Sequence, residues 1–447
     1  MLRAVWFLFV IGVLSLIAVW LAEDPGTVLL QWRGTRIDSS FSLLLTVVAV
    51  LTVITALIYR FWLFIRRAPS EISRLWSERR RRKGYLALTR GMVAVAAGDA
   101  EEAGVQSKRA ESLLEDPPLT MLLSAQAAQL GGDEKAAAKF FSSLREEAET
   151  EFLGLRGLLT QSMKRRNWDE ALELAGRAYK LRPKSGWVAK NLFDLQARAG
   201  HWRDAQATLE EAVNNRVMAV DNLRRRAVLE YQISVEAGNS GDGAKALKYI
   251  RKANDLARDF IPAAIRLARL YVEAGKGRKA ANIVICAWKL KPHPGFLEIY
   301  WQAKGAEDAM AKVQAAQALA KHNPGHIESH LAIAKASLEA RLWGEARKHL
   351  AEITSSGAPA RVCRMMAELE EMENGDQASA RAWLMRATTA EPDPAWVCGH
   401  CGEAVDEWSA LCGKCENFDA LTWRAPPHIV SLAAHGPAPA ALPAGEG

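Results

Sequence analysis

One spacing recurs along the middle of this 447-residue chain and limits what it can fold into. A small residue is followed by an apolar or small one four positions later, and by another three after that. The triplet occurs at Ala103/Ser107/Ala110, Ala137/Phe141/Leu144, Ala171/Ala175/Ala178, Ala205/Leu209/Ala212, Ala246/Ile250/Ala253, Ala280/Val284/Ala287, Ala311/Ala315/Ala318, Ala346/Leu350/Ile353 and Ala380/Leu384/Ala387. Successive starts differ by 34, 34, 34, 41, 34, 31, 35 and 34 residues. Such positions share one helical face, and small side chains there let two helices approach closely. Turn signals precede the stripes, and Pro183, Pro292 and Pro392 each end a unit twelve residues after its first alanine. Proline cannot continue a helix interior, so it separates one hairpin from the next.

The period predicts an all-α solenoid superhelix of about nine helical hairpins over residues 85–392; an ordinary bundle would not hold one period for nine cycles. The 41-residue step carries Asn239–Gly243, "NSGDG", and predicts a longer loop there. The 31-residue step predicts a shortened turn near Gly305. Stacked hairpins leave a concave groove, which suits peptides or protein partners. Candidate groove contacts on first helices are Arg156, Trp187, Lys190, Asp194, Tyr231 and Arg269; solvated helix face is the competing reading for each.

The amino-terminal part is of another kind. Ala4–Ala22 and Phe41–Tyr59 are each 19 residues long and free of charge. As helices each spans roughly 29 Å, close to the ~30 Å hydrocarbon core of a bilayer. Trp6, Trp20, Tyr59 and Trp62 lie near their ends, where amphipathic rings prefer the headgroups. The first run exceeds a typical signal-peptide core and lacks a clear cleavage site. Residues 1–65 are therefore expected to form a two-span anchor with a loop at 23–40.

A basic juxtamembrane linker is expected at 66–84. Residues 60–90 hold ten Arg or Lys against Glu71 and Glu78, while the whole chain carries +7, so the remainder is near neutral. This local basic block gives no reason to expect nucleic-acid binding. It does place residues after Arg66 on the cytoplasmic side, with the loop outward. The Arg79–Lys83 run is also suited to anionic headgroups of the lipid bilayer.

Four of the six cysteines cluster at Cys398, Cys401, Cys412 and Cys415. Disulfides are disfavoured in the cytoplasm. Two C-x2-C hooks separated by ten residues supply a tetrahedral four-thiolate site suited to zinc or iron. Gly399, Gly402 and Gly413 give the hooks turning freedom. A segment as short as 393–424 cannot bury enough core to fold alone, and structural zinc contributes on the order of 10–16 kcal/mol. Trp396, Trp408, Phe418, Leu421 and Trp423 are expected to pack around the sulfurs or on the last helical repeat, with His400 outside the ligand set. Residues 425–447, rich in Ala, Pro and Gly, are expected to be disordered.

Other features read as structural. His322, His326 and His330 are four apart, but Asn323-Pro324-Gly325 breaks any helix carrying all three. Cys286 and Cys363 read as small buried apolar residues. No G-x-S-x-G, P-loop, H-E-x-x-H or post-strand G-x-G-x-x-G is present, and the chain is read as non-enzymatic.

Three resemblances follow. The period, turns and alanine positions of 85–392 resemble the tetratricopeptide repeat. Two close spans, the loop "DPGTVLLQWRGTRIDSS", a basic linker and helical repeats look like the HemY-type family of bacterial inner-membrane proteins. That resemblance implies an inner-membrane scaffold with partners among haem (porphyrin) synthesis enzymes. The four-cysteine knuckle resembles the rubredoxin-like element ending the lipopolysaccharide assembly protein B family, which implies a regulator of lipopolysaccharide assembly instead. Iron at the knuckle would make an electron-transfer module, and a porphyrin carrier is a further alternative.

Overall fold

The computed structural model describes residues 9, 12, 13, 15–17, 19, 20, 27–32, 35–114, 117–218, 222–354 and 358–426. They fall into two compact units, Met1–Phe140 and Phe141–Gly447. The tail from 427 lies outside the described residues, as does most of the first apolar run. The residues of that run that are described, including Phe9, Leu16 and Trp20, are helical and exposed.

In the first unit the segment expected to be a loop contains a hairpin. Strand β1 (Thr27–Trp32) pairs antiparallel with β2 (Thr35–Ser40), from Thr27↔Ser40 to Trp32↔Thr35. Thr, Val, Ile and Trp favour extended backbone, which accounts for it. Helix α1 (Phe41–Ala97) follows, 57 residues without a break. Its stretch Leu43–Leu63 is the one helix among the described residues long and apolar enough to cross a membrane, and none of it is buried. At ~1.5 Å per residue it measures about 32 Å. The basic stretch 66–84 is part of this helix and not an irregular linker. Arg, Leu, Glu and Lys are strong helix formers, and Pro69 does not end it.

The end of α1 becomes the first helix of the first repeat. Ala87, Leu88 and Ala94 are buried against α2 (Ala100–Leu113) and α3 (Pro117–Leu130). Gly91 is required there: a Cβ would lie 2.6 Å from a Leu123 methyl. Asp99 caps α2 by accepting from Glu102 N–H at 3.0 Å. Helix α4 (Glu134–Glu146) comes next.

The second unit continues as helix pairs: α5 (Glu151–Lys164) with α6 (Trp168–Leu181), α7 (Gly186–Arg198) with α8 (Trp202–Asn214), and α9 (Leu223–Asn239) with α10 (Gly243–Leu256). Then follow α11 (Ile261–Glu273) with α12 (Gly277–Leu290), α13 (Gly295–Lys304) with α14 (Ala309–Ala320), α15 (Ile327–Glu339) with α16 (Trp343–Thr354), and α17 (Ala360–Asn374) with α18 (Gln377–Thr389). Every member of the triplets starting at Ala171, Ala205, Ala246, Ala280 and Ala346 is buried.

Two stripes differ. In α14 the innermost residues are Ala316 and Leu319, so Lys312, not Ala311, holds the first position; Ala311 and Ala318 are half-buried. The preceding helix α13 has only ten residues. Lys312 fits because its ammonium lies over the Trp301 ring at 5.0 Å and pairs with Glu339 at 3.0 Å. The shortening near Gly305 is thus in the helix, and Gly305 is its ordinary left-handed cap with φ 64°. In α18 Ala380 is buried but Leu384 is exposed, because no further helix stacks on it among the described residues.

The 41-residue step is also placed differently. Ser240–Asp242 make an ordinary tight turn, with Gly241 at φ 79° and Asp242 capping α10. The extra residues lengthen α9 to 17 residues and the connection before it, 215–222. Tight-turn chemistry at Gly and Asp wins over the expectation of a loop.

The chain ends in a three-stranded antiparallel sheet of order β4-β3-β5: β3 (Ala395–Cys398), β4 (Ala404–Val405) and β5 (Leu421–Arg424). This knuckle does not sit on the last repeat. Only the segment leading to it does, through Asp393, which accepts from Arg361 N–H at 2.7 Å and pairs with Arg364. The knuckle itself folds back onto first helices from the middle of the solenoid.

Candidate metal centre and the groove that holds it

The four cysteines come from two hooks. Cys398 ends β3, and Cys401 follows a turn closed by Gly402 N–H donating to the Cys398 carbonyl at 3.0 Å. Cys412 and Cys415 sit on the matching turn, closed by Glu416 N–H donating to the Cys412 carbonyl at 2.8 Å. Each turn needs one left-handed residue after its second cysteine. Gly402 supplies it in the first, with φ 75°, and Glu416 in the second, with φ 56°. Neither Gly399 nor Gly413 takes a positive φ, so the glycines expected to matter reduce to Gly402.

All four Sγ atoms lie within 4.8 Å of one another; Cys398–Cys415 and Cys401–Cys412 are 3.6 Å apart. A tetrahedron with metal–sulfur bonds of about 2.3 Å has sulfurs ~3.8 Å apart, so the set fits such an ion. Burial opposes charge on Cys398, but N–H groups of Cys401 and His400 converge on its sulfur and bring the thiol down to about 7. His400 donates its backbone N–H at 3.4 Å and offers no ligand. Burial and the neighbouring thiols push Cys415 up to about 12. Bare thiolates this close repel one another, and a cation removes that conflict.

The knuckle's outer face carries the aromatic residues of the sequence analysis, and the middle of the solenoid receives them. Trp408 stands edge-on to Tyr231 of α9 and to Phe260 at the start of α11, with ring centroids 5.2 and 5.0 Å away. Phe418 meets Phe193 of α7 edge-on at 5.2 Å. Trp396 and Trp423 enclose His293, just before α13, at 5.7 and 4.3 Å. Gly295 N–H donates to His293 Nδ1, which leaves the proton on Nε2. Burial holds this imidazole neutral and brings its pKa down to about 4.

Two ion pairs flank the aromatic contacts. Arg224, at the start of α9, grips Asp419 bidentately, Nε to Oδ2 and Nη2 to Oδ1 both at 2.9 Å. Arg198, at the end of α7, pairs with Glu416. Burial pushes the Asp419 carboxyl above its usual range, and Arg224 opposes that rise. A cavity of about 480 Å³ beside Asp419 is lined by Gly186, Lys190, Val217, Met218, Asn222, Arg224 and Arg225. Val217, Met218 and Asn222, which flank α9 on its N-terminal side, thus form one wall of the knuckle's seat.

Of the six groove candidates, Tyr231 touches the knuckle directly. Burial raises the pKa of its phenol and of the Asp194 carboxyl, the latter rise opposed by Lys190, Arg225 and Arg198. Arg269 acts on Tyr231 through its charge. Arg156 stacks on the Trp187 ring at 4.9 Å, on α5 and α7. Arg198, Arg224, Phe193, Phe260 and His293 were not singled out in the sequence; the basic run Arg224–Arg226 was the one available signal. His326 caps α15, accepting from Glu328 N–H at 3.1 Å, while His330 and His349 meet Nδ1 to Nδ1 at 3.1 Å. Cys363 is buried, but Cys286 is exposed, because it lies one residue off the Ala280/Val284/Ala287 stripe.

Comparison with known proteins gives the following. Residues 26–132 match the family model described as HemY protein N-terminus, and residues 162–226 match a tetratricopeptide repeat model. A relative from Magnetospirillum gryphiswaldense, named "Probable magnetosome protein Mms48", is 28% identical over 430 residues, 95% of this chain and 93% of its own. Among solved structures, YrrB, described as a TPR protein with an unusual peptide-binding site, is 15% identical and matches 44% of this chain and 98% of its own, at a TM-score of 0.27. Naa15/Naa10 bound to HypK-THB is 15% identical, over 74% of this chain and 55% of that one, at 0.44. The chain thus joins a region that matches the HemY protein N-terminus to helical repeats, part of which match the tetratricopeptide repeat, followed by a four-cysteine knuckle.

Proposed function

We propose that this chain is a non-catalytic scaffold of a bacterial inner membrane, with its solenoid in the cytoplasm. One observation carries the reading: the 21-residue apolar span and the first helix of the repeat array belong to the single helix Phe41–Ala97. A helix of this kind tethers the repeat array to the bilayer. Confinement to the membrane surface raises the effective concentration of whatever the groove binds. The contact residues are Arg156, Trp187, Lys190, Asp194, Tyr231 and Arg269, and the four thiolates hold zinc.

The HemY-type match supports partners in haem synthesis. Likeness to a probable magnetosome protein over nearly the whole chain supports a second setting, the magnetosome. Cross-linking in native membranes followed by partner identification tests the scaffold. Recovery of membrane enzymes is the expected result; recovery of ribosomal and chaperone background alone refutes it. A purified protein that is coloured and bleaches on reduction contains iron, and the zinc assignment then fails.

A further inference from the structure

The stretch Glu416-Asn417-Phe418-Asp419 does two separable things. Its backbone completes the knuckle: Glu416 and Asp419 N–H donate to the Cys412 and Ala410 carbonyls, and the Asn417 carbonyl accepts from Cys412 N–H. Leu411 and Phe418 bridge in antiparallel fashion. Three of its side chains go to the solenoid instead: Glu416 to Arg198, Phe418 to Phe193 and Asp419 to Arg224. The acidic, aromatic and acidic side chains of this segment thus meet groove side chains, while its backbone belongs to the knuckle.

The groove also carries more positive charge than the knuckle neutralises. Lys190 and Arg225 line the cavity beside Asp419 and form no ion pair among the described residues. Without the knuckle, Lys190, Arg198, Arg224 and Arg225 face two nearby carboxylates, Asp194 and Asp259, and Asp259 is already paired with Lys291 at 2.8 Å. Docking adds Glu416 and Asp419 and still leaves the surface cationic, with about 480 Å³ of adjoining space.

We propose that Glu416–Asp419 is an internal stand-in for an external ligand, and that the groove binds acidic protein segments bearing an aromatic anchor once the knuckle lifts away. This rests on the scaffold reading and names the partner's chemistry. Docked, the tethered knuckle competes at high effective concentration and keeps weak ligands out.

The test uses the full chain, metal-loaded and in lipid nanodiscs, with a fluorescein-labelled peptide Glu-Asn-Phe-Asp-Ala, the sequence of 416–420. The two sides of the same ion pairs make opposite predictions. Glu416→Ala with Asp419→Ala frees the groove, so the peptide binds at least ~10-fold tighter than to the unaltered chain, as loss of a charge-assisted contact implies. Arg198→Ala with Arg224→Ala also releases the knuckle but removes the receptor charges, so binding falls below that of the unaltered chain. Metal content and helical circular dichroism confirm that both variants are folded. Equal peptide binding by the two variants, or none by the Glu416/Asp419 variant, overturns the proposal. The membrane cross-linking experiment reports on the scaffold separately, so either reading can fail without the other.

Discussion

Trp408 is the contact whose loss most directly weighs the seat of the knuckle. It lies half-buried between Tyr231 and Phe260, and its indole N–H finds no acceptor among the described residues. Removing the ring in Trp408→Ala forfeits two edge-on aromatic contacts, worth about 0.5–1.5 kcal/mol each. It also forfeits roughly 100 Å² of apolar burial, or about 2.5 kcal/mol. Relief of the unpaired N–H returns about 1–3 kcal/mol. Taking the middle of each range, the net cost to docking is about 2.5 kcal/mol, a rise of roughly 70-fold in the undocked population.

Cys398 and Cys412 are almost completely shielded from solvent and Cys401 and Cys415 are half-buried, so full chelator access to all four sulfurs requires undocking. Metal transfer to a chromophoric chelator should therefore accelerate in Trp408→Ala by on the order of that factor. Trp408→Phe keeps a ring and removes the orphan donor, and should stay within about 1 kcal/mol of the parent. A Trp408→Ala rate within twofold of the parent would refute the reasoning, because the ring would then carry no docking energy.

Other outcomes follow from the same structure. His293 is folded with its pKa near 4 against an ordinary 6.5, so its contribution is complete above pH 6.5 and is lost as pH falls toward 4. That amounts to about 3 kcal/mol. In chelator or denaturant assays the acid sensitivity of His293→Asn should be smaller than the parent's, and equal sensitivity would exclude this role. Gly154→Ala should destabilise the second unit by about 2 kcal/mol or more in denaturant titration, since its Cβ would lie 2.5 Å from the Arg145 nitrogen and the Phe141 carbonyl, both backbone atoms. The Glu370 carboxyl is held low by its hydrogen bond to Arg347. Its stabilisation is present above pH 4.5 and is lost as pH falls through the lowered value, a loss that Glu370→Gln should abolish in acid unfolding. Stripping the metal should melt residues 395–424 in hydrogen exchange while the solenoid helices keep their protection.

The sequence was legible where physics is local or periodic. Small residues at Ala171, Ala175 and Ala178 announce a packed helix face whatever lies around them, and two C-x2-C hooks announce a thiolate site. What escaped depends on meetings at long range. Arg224 and Asp419 are 195 residues apart and neither belongs to a motif. The aromatic knuckle residues were expected around the sulfurs or on the last repeat; they do not reach the last repeat, because the better match of ring and charge lies at Tyr231, Phe260 and Arg224. Lys312 broke the stripe in α14 because a long cationic stem over Trp301 fills the place of a small residue, which a pattern of alanines cannot reveal. The extra residues of the long repeat went into α9 and its approach because "NSGDG" already met the needs of a tight turn.

The central claim is that the four-thiolate knuckle lies in the solenoid's own groove. Benzoyl-phenylalanine placed at position 418 of the full chain in membranes and irradiated tests it most directly. Cross-links within the chain to residues 186–198, lost on metal removal, are the predicted result. Cross-links confined to the last repeat or to other proteins, unchanged by metal removal, would contradict it.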